Sequence, residues 1–599
     1  LAGQPVEAHE AGLPYRMRKF AGRHRWGVSV GLLALLLLVG FAGAMTIQQA
    51  ATARERDRAE RETARAERTA DFLMGLFEAS DPAEALGDTV TARQLLERGV
   101  EHAEALSSDQ PLLQAETFDV IGQVYRSLGQ NEKAVELLQK AVELRRAKQP
   151  ESDPDLAASL RHLSQAFVDL RLIEEAEQTA QEALTLDRAK NREPDESIAR
   201  SLNSLALARE VSGEYADADS LFQLAYDQLR LTLGSDNTES VSVLANRAPV
   251  LISLGSFEKA EIVIREVVEW QRRNLPSNHP NLAESIDLLA VSLRNQNKFE
   301  EAEPFYQESL SIKREVYGDA HPSVAAGLMN LGIFHGIQGD YGGAEPFFKE
   351  AVAIYSEAFG ADSPRTARAV TSYAVLLARM GRYDQAAELY RRALGIQEKE
   401  LGAKHPDAIH SLFNLGLALA LDEQFDEAIP LLERTVLLNA EVLGVEHHRY
   451  AESLGILGLY EAKAGQYRRG ELHAREALAL SKENAGVDDA KTAKLAGYLG
   501  RVLVIAGDYE QADSVLTVAL SQFAQHSEPN HPSAIAMTDA LGQAKMHLGA
   551  YTEADSLLSA AYAVRLERLG ASHPWTKETA AHREELYRKW NLPLPEDGN

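Results

Sequence analysis

The chain has no cysteine in its 599 residues, which removes disulfides, thiolate zinc sites and cysteine nucleophiles from the possible chemistry. Proline is scarce, at 21 residues, in an alanine- and leucine-rich chain that is 25% charged. That balance suits long amphipathic helices better than strands or disorder. Basic residues are also short, at 62 Lys and Arg against 89 Asp and Glu. The deficit lies beyond residue 71, where 51 basic residues face 81 acidic ones for a net charge of -30. Such a body repels phosphate backbones, so no nucleic-acid partner is expected, and basic peptides or protein surfaces are favoured at long range. The same acidity also serves simply to keep a large surface soluble. Missing too are a phosphate-binding loop, an HExxH zinc motif and the glycine-rich and catalytic loops of a kinase. The expectation is therefore a chain with no catalytic residue, no cofactor and no metal site, and not an enzyme.

Long apolar runs are absent with one exception. Gly27 to Ile47 gives 21 consecutive uncharged, mostly apolar residues, enough at about 1.5 Å per residue to cross a bilayer as a helix. Arg16, Arg18, Lys19, Arg23 and Arg25 crowd its N-terminal side within a basic segment, 1–26. They favour a single-pass protein with its N-terminus inside and the remainder outside the cytoplasm. Arg54, Arg56, Arg58, Arg61 and Arg65 follow the span, but they alternate with acidic residues and lie farther from the apolar core. Ala42-Gly43-Ala44 has the form of a signal-peptide cleavage site, so cleavage is the competing reading. Gly27-Val28-Ser29-Val30-Gly31 fits a serine-hydrolase elbow in letters only, since no strand or oxyanion partner accompanies it. Gly27 and Gly31 have the small-xxx-small spacing that would let two spans dimerise. Residues 48–80 read as a charged helical stalk ending in an apolar face at Phe72, Leu73, Leu76 and Phe77. The chain begins at Leu1 rather than methionine, which suggests that a preceding part is missing from the sequence.

The strongest positive signal is a period of 42 residues. A glycine followed two residues later by an aromatic recurs at Gly213 and Tyr215, Gly255 and Phe257, Gly339 and Tyr341, and onward to Gly549 and Tyr551. Asn297 and Glu423 stand in for glycine, and a degenerate unit at Arg171 leads back to Gly129. His-Pro pairs keep the same period at 279, 321, 405, 531 and 573. Proline suits a first helical turn, and glycine suits the left-handed residue that closes a helix. Seven residues before each turn the chain is always small, as at Gly122, Ser164, Ala206, Gly332 and Gly416. Five residues after the turn it has alanine, or Gly470. Two helices close enough to exclude side chains explain both positions.

Small residues at these spacings around a Gly-x-Tyr turn resemble the tetratricopeptide repeat, in the longer form of kinesin light chains. The resemblance implies an all-α fold, a right-handed α-α superhelix, here preceded by the single transmembrane helix expected at 27–47. Its parts would be an N-terminal half-repeat cap at 88–111, eleven repeats over 112–573, a capping helix at 574–591 and a disordered tail at 592–599. It further implies a protein or peptide ligand in a concave groove. Asn246, Asn330 and Asn414, nine residues before their turns, match the family's groove position, where an amide can both donate to and accept from a peptide. Arg200, Arg368, His410 and Lys494 fall four residues earlier in their units, as candidates to read acidic groups. The histidines of the His-Pro pairs would form a row along the stack and do not converge on a metal. Finally, Tyr15 to Phe20, the span, the stalk and the segment Asp71 to Pro82 occur in the order seen in bacterial receptor-like serine/threonine protein kinases. That likeness implies the anchor and sensor part of such a kinase, without its catalytic domain. A free-standing membrane-anchored scaffold is the alternative.

Overall fold

Twenty-four helices and no strand account for the regular structure among the described residues of the computed structural model. It describes Met45 and residues 92–595, except 106–109, 149–153, 191, 487–488 and 528–529. The stalk, the last four residues and all of the apolar segment except Met45 lie outside the described residues. Among the described residues, no helix is long and apolar enough to cross a membrane.

A lone helix, α1 (Ala92–Ala105), precedes helix pairs that repeat every 42 residues. The first pairs are α2 (Pro111–Ser127) and α3 (Asn131–Lys148), α4 (Pro154–Asp169) and α5 (Ile173–Lys190), then α6 (Glu196–Val211) and α7 (Tyr215–Thr232). Next come α8 (Thr238–Ser253) and α9 (Phe257–Asn274), α10 (Pro280–Asn295) and α11 (Phe299–Tyr317), then α12 (Pro322–Ile337) and α13 (Tyr341–Phe359). They are followed by α14 (Pro364–Arg379) and α15 (Tyr383–Glu400), α16 (Pro406–Leu421) and α17 (Phe425–Leu443), then α18 (His448–Lys463) and α19 (Tyr467–Ala485). The series closes with α20 (Ala490–Ala506) and α21 (Tyr509–Phe523), α22 (Pro532–His547) and α23 (Tyr551–Leu569), and the single helix α24 (Pro574–Trp590). The chain divides into two compact units, one ending at Thr232 and the other starting at Leu233.

Each hairpin is specified locally. Histidine is the N-cap of five first helices and of the last single helix: Nδ1 of His279, His321, His405, His447, His531 and His573 accepts the N–H of the second residue after it, at 3.1 to 3.2 Å. An accepting Nδ1 places the ring proton on Nε2, so these rings cap as neutral imidazoles. At the turn the backbone crosses into the left-handed region even where glycine is missing, with φ of 56°, 60° and 61° at Arg171, Asn297 and Glu423. A second set of glycines closes the second helices. Gly318, at φ 77° and ψ 163°, occupies a region that only glycine enters readily.

The small residues act as expected. A Cβ added to Gly332 would stand 2.7 Å from the Phe348 ring, and one added to Gly458 would stand 2.6 Å from the Gly470 carbonyl. Polar pairs tie the two helices of some hairpins in a fixed register, 26 residues apart. Arg161 donates to Asp187 at 2.8 Å and Lys313 bonds to Asp287. In the last full pair, Arg565 stands 4.0 Å from Asp539.

In the second unit the buried apolar side chains form two large clusters. One cluster runs from Ala248 to Ile354 and the other from Ala374 to Ala544, with smaller groups around Val370 and Phe348 between them. The same unit curls until its last helix meets an earlier turn. His573 Nε2 lies 3.2 Å from the Arg379 carbonyl, a Cβ on Gly381 would press on Pro574, and Lys463 reaches Glu578 at 3.4 Å.

Candidate functional site

A cleft of about 620 Å3 lies between α12 and α16. First helices contribute Met329, Arg365, Arg368, Val375 and His410 to its lining, and second helices contribute Tyr355, Phe359 and Gln397. At the paired positions 26 residues apart, where some hairpins hold opposite charges, the hairpins that begin with α12 and α14 have Met329 with Tyr355 and Thr371 with Gln397.

Arg365 stacks its guanidinium 4.6 Å from the Phe359 ring centroid. Arg368 is largely exposed, and its nearest carboxylate, Asp407, stands 3.9 Å away. Burial pushes the Tyr355 hydroxyl above its ordinary pKa, while the charges of Arg368 and Arg365 pull it down. Asn414 Nδ2 donates to His410 Nε2 at 2.9 Å, so the histidine is held as the neutral acceptor. Desolvation and the nearby Arg449 lower its pKa, and Asp407 opposes them. At the back of the cleft Gln397 is 1% exposed, and its Oε1 has no hydrogen-bond partner.

Three of the seven residues singled out in the sequence thus come together: Arg368, His410 and Asn414. Lys494, two hairpins beyond His410, is occupied by Glu452 at 2.5 Å and lies 6.0 Å from the Tyr498 ring centroid. Burial works against its charge, but Tyr498 and Glu452 outweigh it and raise the pKa. Asn246 and Asn330 are half-buried on first helices in the same unit. Arg200 belongs to the first unit, where Glu196 stands 3.5 Å from it. The second-helix residues of the cleft were not anticipated. Their position, 16 residues after the turn, varies from Lys313 and Arg565 to Leu229, Gln271 and Phe523 in other units, so the sequence carries no signal for them.

A smaller cleft in the first unit, lined by Phe118, Lys140 and Glu143, offers less. Its lysine is already paired with Glu104 and Glu136. Among the described residues no group of three or more His, Asp or Glu side chains is arranged to hold a metal ion.

A family model described as tetratricopeptide repeat matches residues 83–147, 240–315, 281–357, 323–399, 366–436 and 407–483. A second model with the same description matches 120–194. No curated protein matches the chain. Among solved structures, the nearly identical TPR-like repeats described as kinesin light chain from Podosopora anserina are 22% identical, with TM-score 0.31, over 35% of this chain and 99% of that one. BtubC (BKLC) from P. vanneervenii is 24% identical, with TM-score 0.31, over 39% of this chain and 91% of its own. A Rap protein complexed with competence and sporulation factor is 14% identical, with TM-score 0.39, over 59% of this chain and 100% of its own.

Proposed function

The chain belongs to the tetratricopeptide repeat family, and from that premise we propose that it is a non-catalytic docking scaffold that binds a protein or peptide on its first-helix face. The observation that carries this reading is the cleft between α12 and α16. Arg368 and His410, the latter bonded to Asn414, line it, and it is large enough for side chains of another chain. A photo-crosslinking residue at Ser372, in the cleft lining, is expected to trap a polypeptide, and one at the exposed Ile262 on α9 is not. Equal trapping at both positions, or none at Ser372, would overturn the reading.

The scaffold is further proposed to be held at a membrane by residues 27–47, with its repeats outside the cytoplasm and its spans able to pair through Gly27 and Gly31. The apolar run and the five basic residues before it support this. The junction motifs Tyr15 to Phe20 and Asp71 to Pro82 support a place as the sensor part of a receptor-like serine/threonine kinase. With no native cysteine, Ser572→Cys at an exposed site gives a single reactive thiol. Labelling by an impermeant reagent in intact cells would support the topology, whereas labelling only after permeabilisation would reverse it. An in-frame kinase catalytic loop in the upstream coding sequence would support the kinase assignment. A start codon at the first residue with no coding sequence before it would favour the free-standing scaffold.

A further inference from the structure

Equivalent positions along the repeat show where the curl of the second unit closes. The aromatic two residues after the turn is half-buried or exposed at Phe257, Tyr341, Tyr467 and Tyr509, but Tyr383 is buried. The capping histidines His279, His321, His405, His447 and His531 are likewise half-buried or exposed, and His573 is buried. A Cβ on Gly255, Gly465 or Gly549 would meet nothing within 4 Å, whereas one on Gly381 would stand 2.5 Å from Pro574 Cδ. Nearby, a Cβ on Gly339 would touch the Arg568 carbonyl at 3.5 Å. Positions that are open in other hairpins are thus covered where the start of α24 meets the turn after α14. Burial and the charge of Glu578 raise the pKa of Tyr383 while Arg565 opposes them, so charges from both last helices reach that ring.

What joins the two sides is slight. His573 gives one hydrogen bond to the Arg379 carbonyl, Lys463 and Glu578 form an ion pair with side chains 32% and 42% exposed, and the Pro574 ring rests on Gly381. A neutral hydrogen bond and an exposed ion pair each shift an equilibrium by about tenfold or less. The end of the array is fastened to itself more firmly. Leu586 packs with Met546, Ala554 and Leu558, Tyr587 donates to Asp555 at 2.8 Å, and Arg565 donates to the Trp575 carbonyl at 3.0 Å. We propose that the contact is a clasp with two states: closed, as here, it covers Tyr383, and open, α22 to α24 swing away as one body and the curl widens. Small rotations spread over the hairpins from α15 to α21 supply the motion, as a stack of nearest-neighbour contacts allows. Arg365 and Arg368 of the docking cleft begin α14 and Arg379 of the clasp ends it, so the device is separate from the cleft.

Because the chain has no native cysteine, spin labels on Asp384→Cys and Lys577→Cys, two exposed positions flanking the contact, report its width in the full chain by double electron–electron resonance. A dominant short distance is expected, with a longer one that grows about tenfold relative to it when His573→Asn and Lys463→Glu remove both polar links. Asparagine still caps α24, so the start of the helix is kept. Adding Glu578→Lys to Lys463→Glu should bring the short distance back. Hydroxyl-radical footprinting supplies the second readout: Tyr383 should oxidise faster in the open variant, while Tyr390, in the hairpin core on the same helix, should not. A short distance unmoved by the substitutions would show a rigid joint, and a long distance in the labelled parent would show no closure; either overturns the proposal. Faster oxidation of both tyrosines would mean that α15 unfolds, and overturns it as well.

Discussion

Arg161 Nη1 donates to Asp187 Oδ2 at 2.8 Å, and in another hairpin the same two register positions hold Asp287 and Lys313 with the charges exchanged. The first pair is nearly enclosed, with side chains 12% and 7% exposed, and Ser201 also donates to the carboxylate, at 2.7 Å. These positions therefore accommodate an ion pair of either polarity.

Removing one partner should be far worse than reversing both. Asp187→Ala strands Arg161 in the hairpin core and is expected to cost about 3 to 5 kcal/mol, read from denaturant unfolding. The exchange Arg161→Asp/Asp187→Arg should recover a large part of that loss. No recovery would show that Ser201 and the surrounding packing, and not the pair, hold the register.

Gly332 and Phe348 permit a similar cycle. With a Cβ at Gly332 only 2.7 Å from the ring, Gly332→Leu should destabilise by about 1 to 3 kcal/mol through overpacking. Adding Phe348→Ala should make the leucine less harmful than it is alone, because the two side chains then share one space. Additive losses would contradict this placement of the helices.

The left-handed turns can be improved. Glu423 and Asn297 adopt φ of 61° and 60°, a region that strains residues bearing a Cβ. Glu423→Gly is expected to stabilise by roughly 0.5 to 1 kcal/mol, and Asn297→Gly by less, since asparagine tolerates this conformation better. Thermal unfolding of the two variants would settle the order.

Acid should loosen one contact selectively. His573 accepts from Trp575 N–H through Nδ1, and its Nε2–H meets the Arg379 carbonyl at 3.2 Å. Burial, with a smaller push from Arg565, lowers its pKa, although the carbonyl bond works the other way. An unfolded histidine takes its proton near pH 6.5, so the contribution of the neutral ring is complete above that value and is lost as pH falls through the lowered folded value. The protection factor of the Trp575 amide, whose acceptor is lost when Nδ1 takes the proton, should fall between pH 7 and pH 5, and His573→Ala should flatten that response. His582 has the opposite sign, because its pairing with Asp539 raises its pKa against burial. Its stabilisation is present at low pH and fades as pH rises, so global melting would mix the two effects while local exchange separates them.

The hairpins were legible because their signals are local and repeated. A small residue, a turn and a capping histidine each act within a few residues, and recurrence at 42 makes each occurrence support the others. Arg171 shows the gain, since it adopts the turn conformation in a unit whose letters are degenerate. The cleft was only half legible. Arg368, His410 and Asn414 could be found from the first-helix register, whereas Gln397 and Tyr355 sit at a second-helix position whose residue changes from unit to unit and repeats no letter. The meeting of His573 with Arg379 had no local signal at all, because their separation of 194 residues depends on small rotations summed over successive hairpins.

That meeting removes a freedom that repeat arrays ordinarily keep. A stack in which each unit touches only its neighbours can gain or lose one with little consequence elsewhere. Here the imidazole of His573 and the ammonium of Lys463 fasten the last helix to places already fixed by earlier hairpins. Excising one period between Gly381 and His573 would carry the last helix to a different bearing and leave both fastenings without partners. The tally of hairpins over that stretch is thus a fixed dimension of the molecule, as the circumference is of a ring.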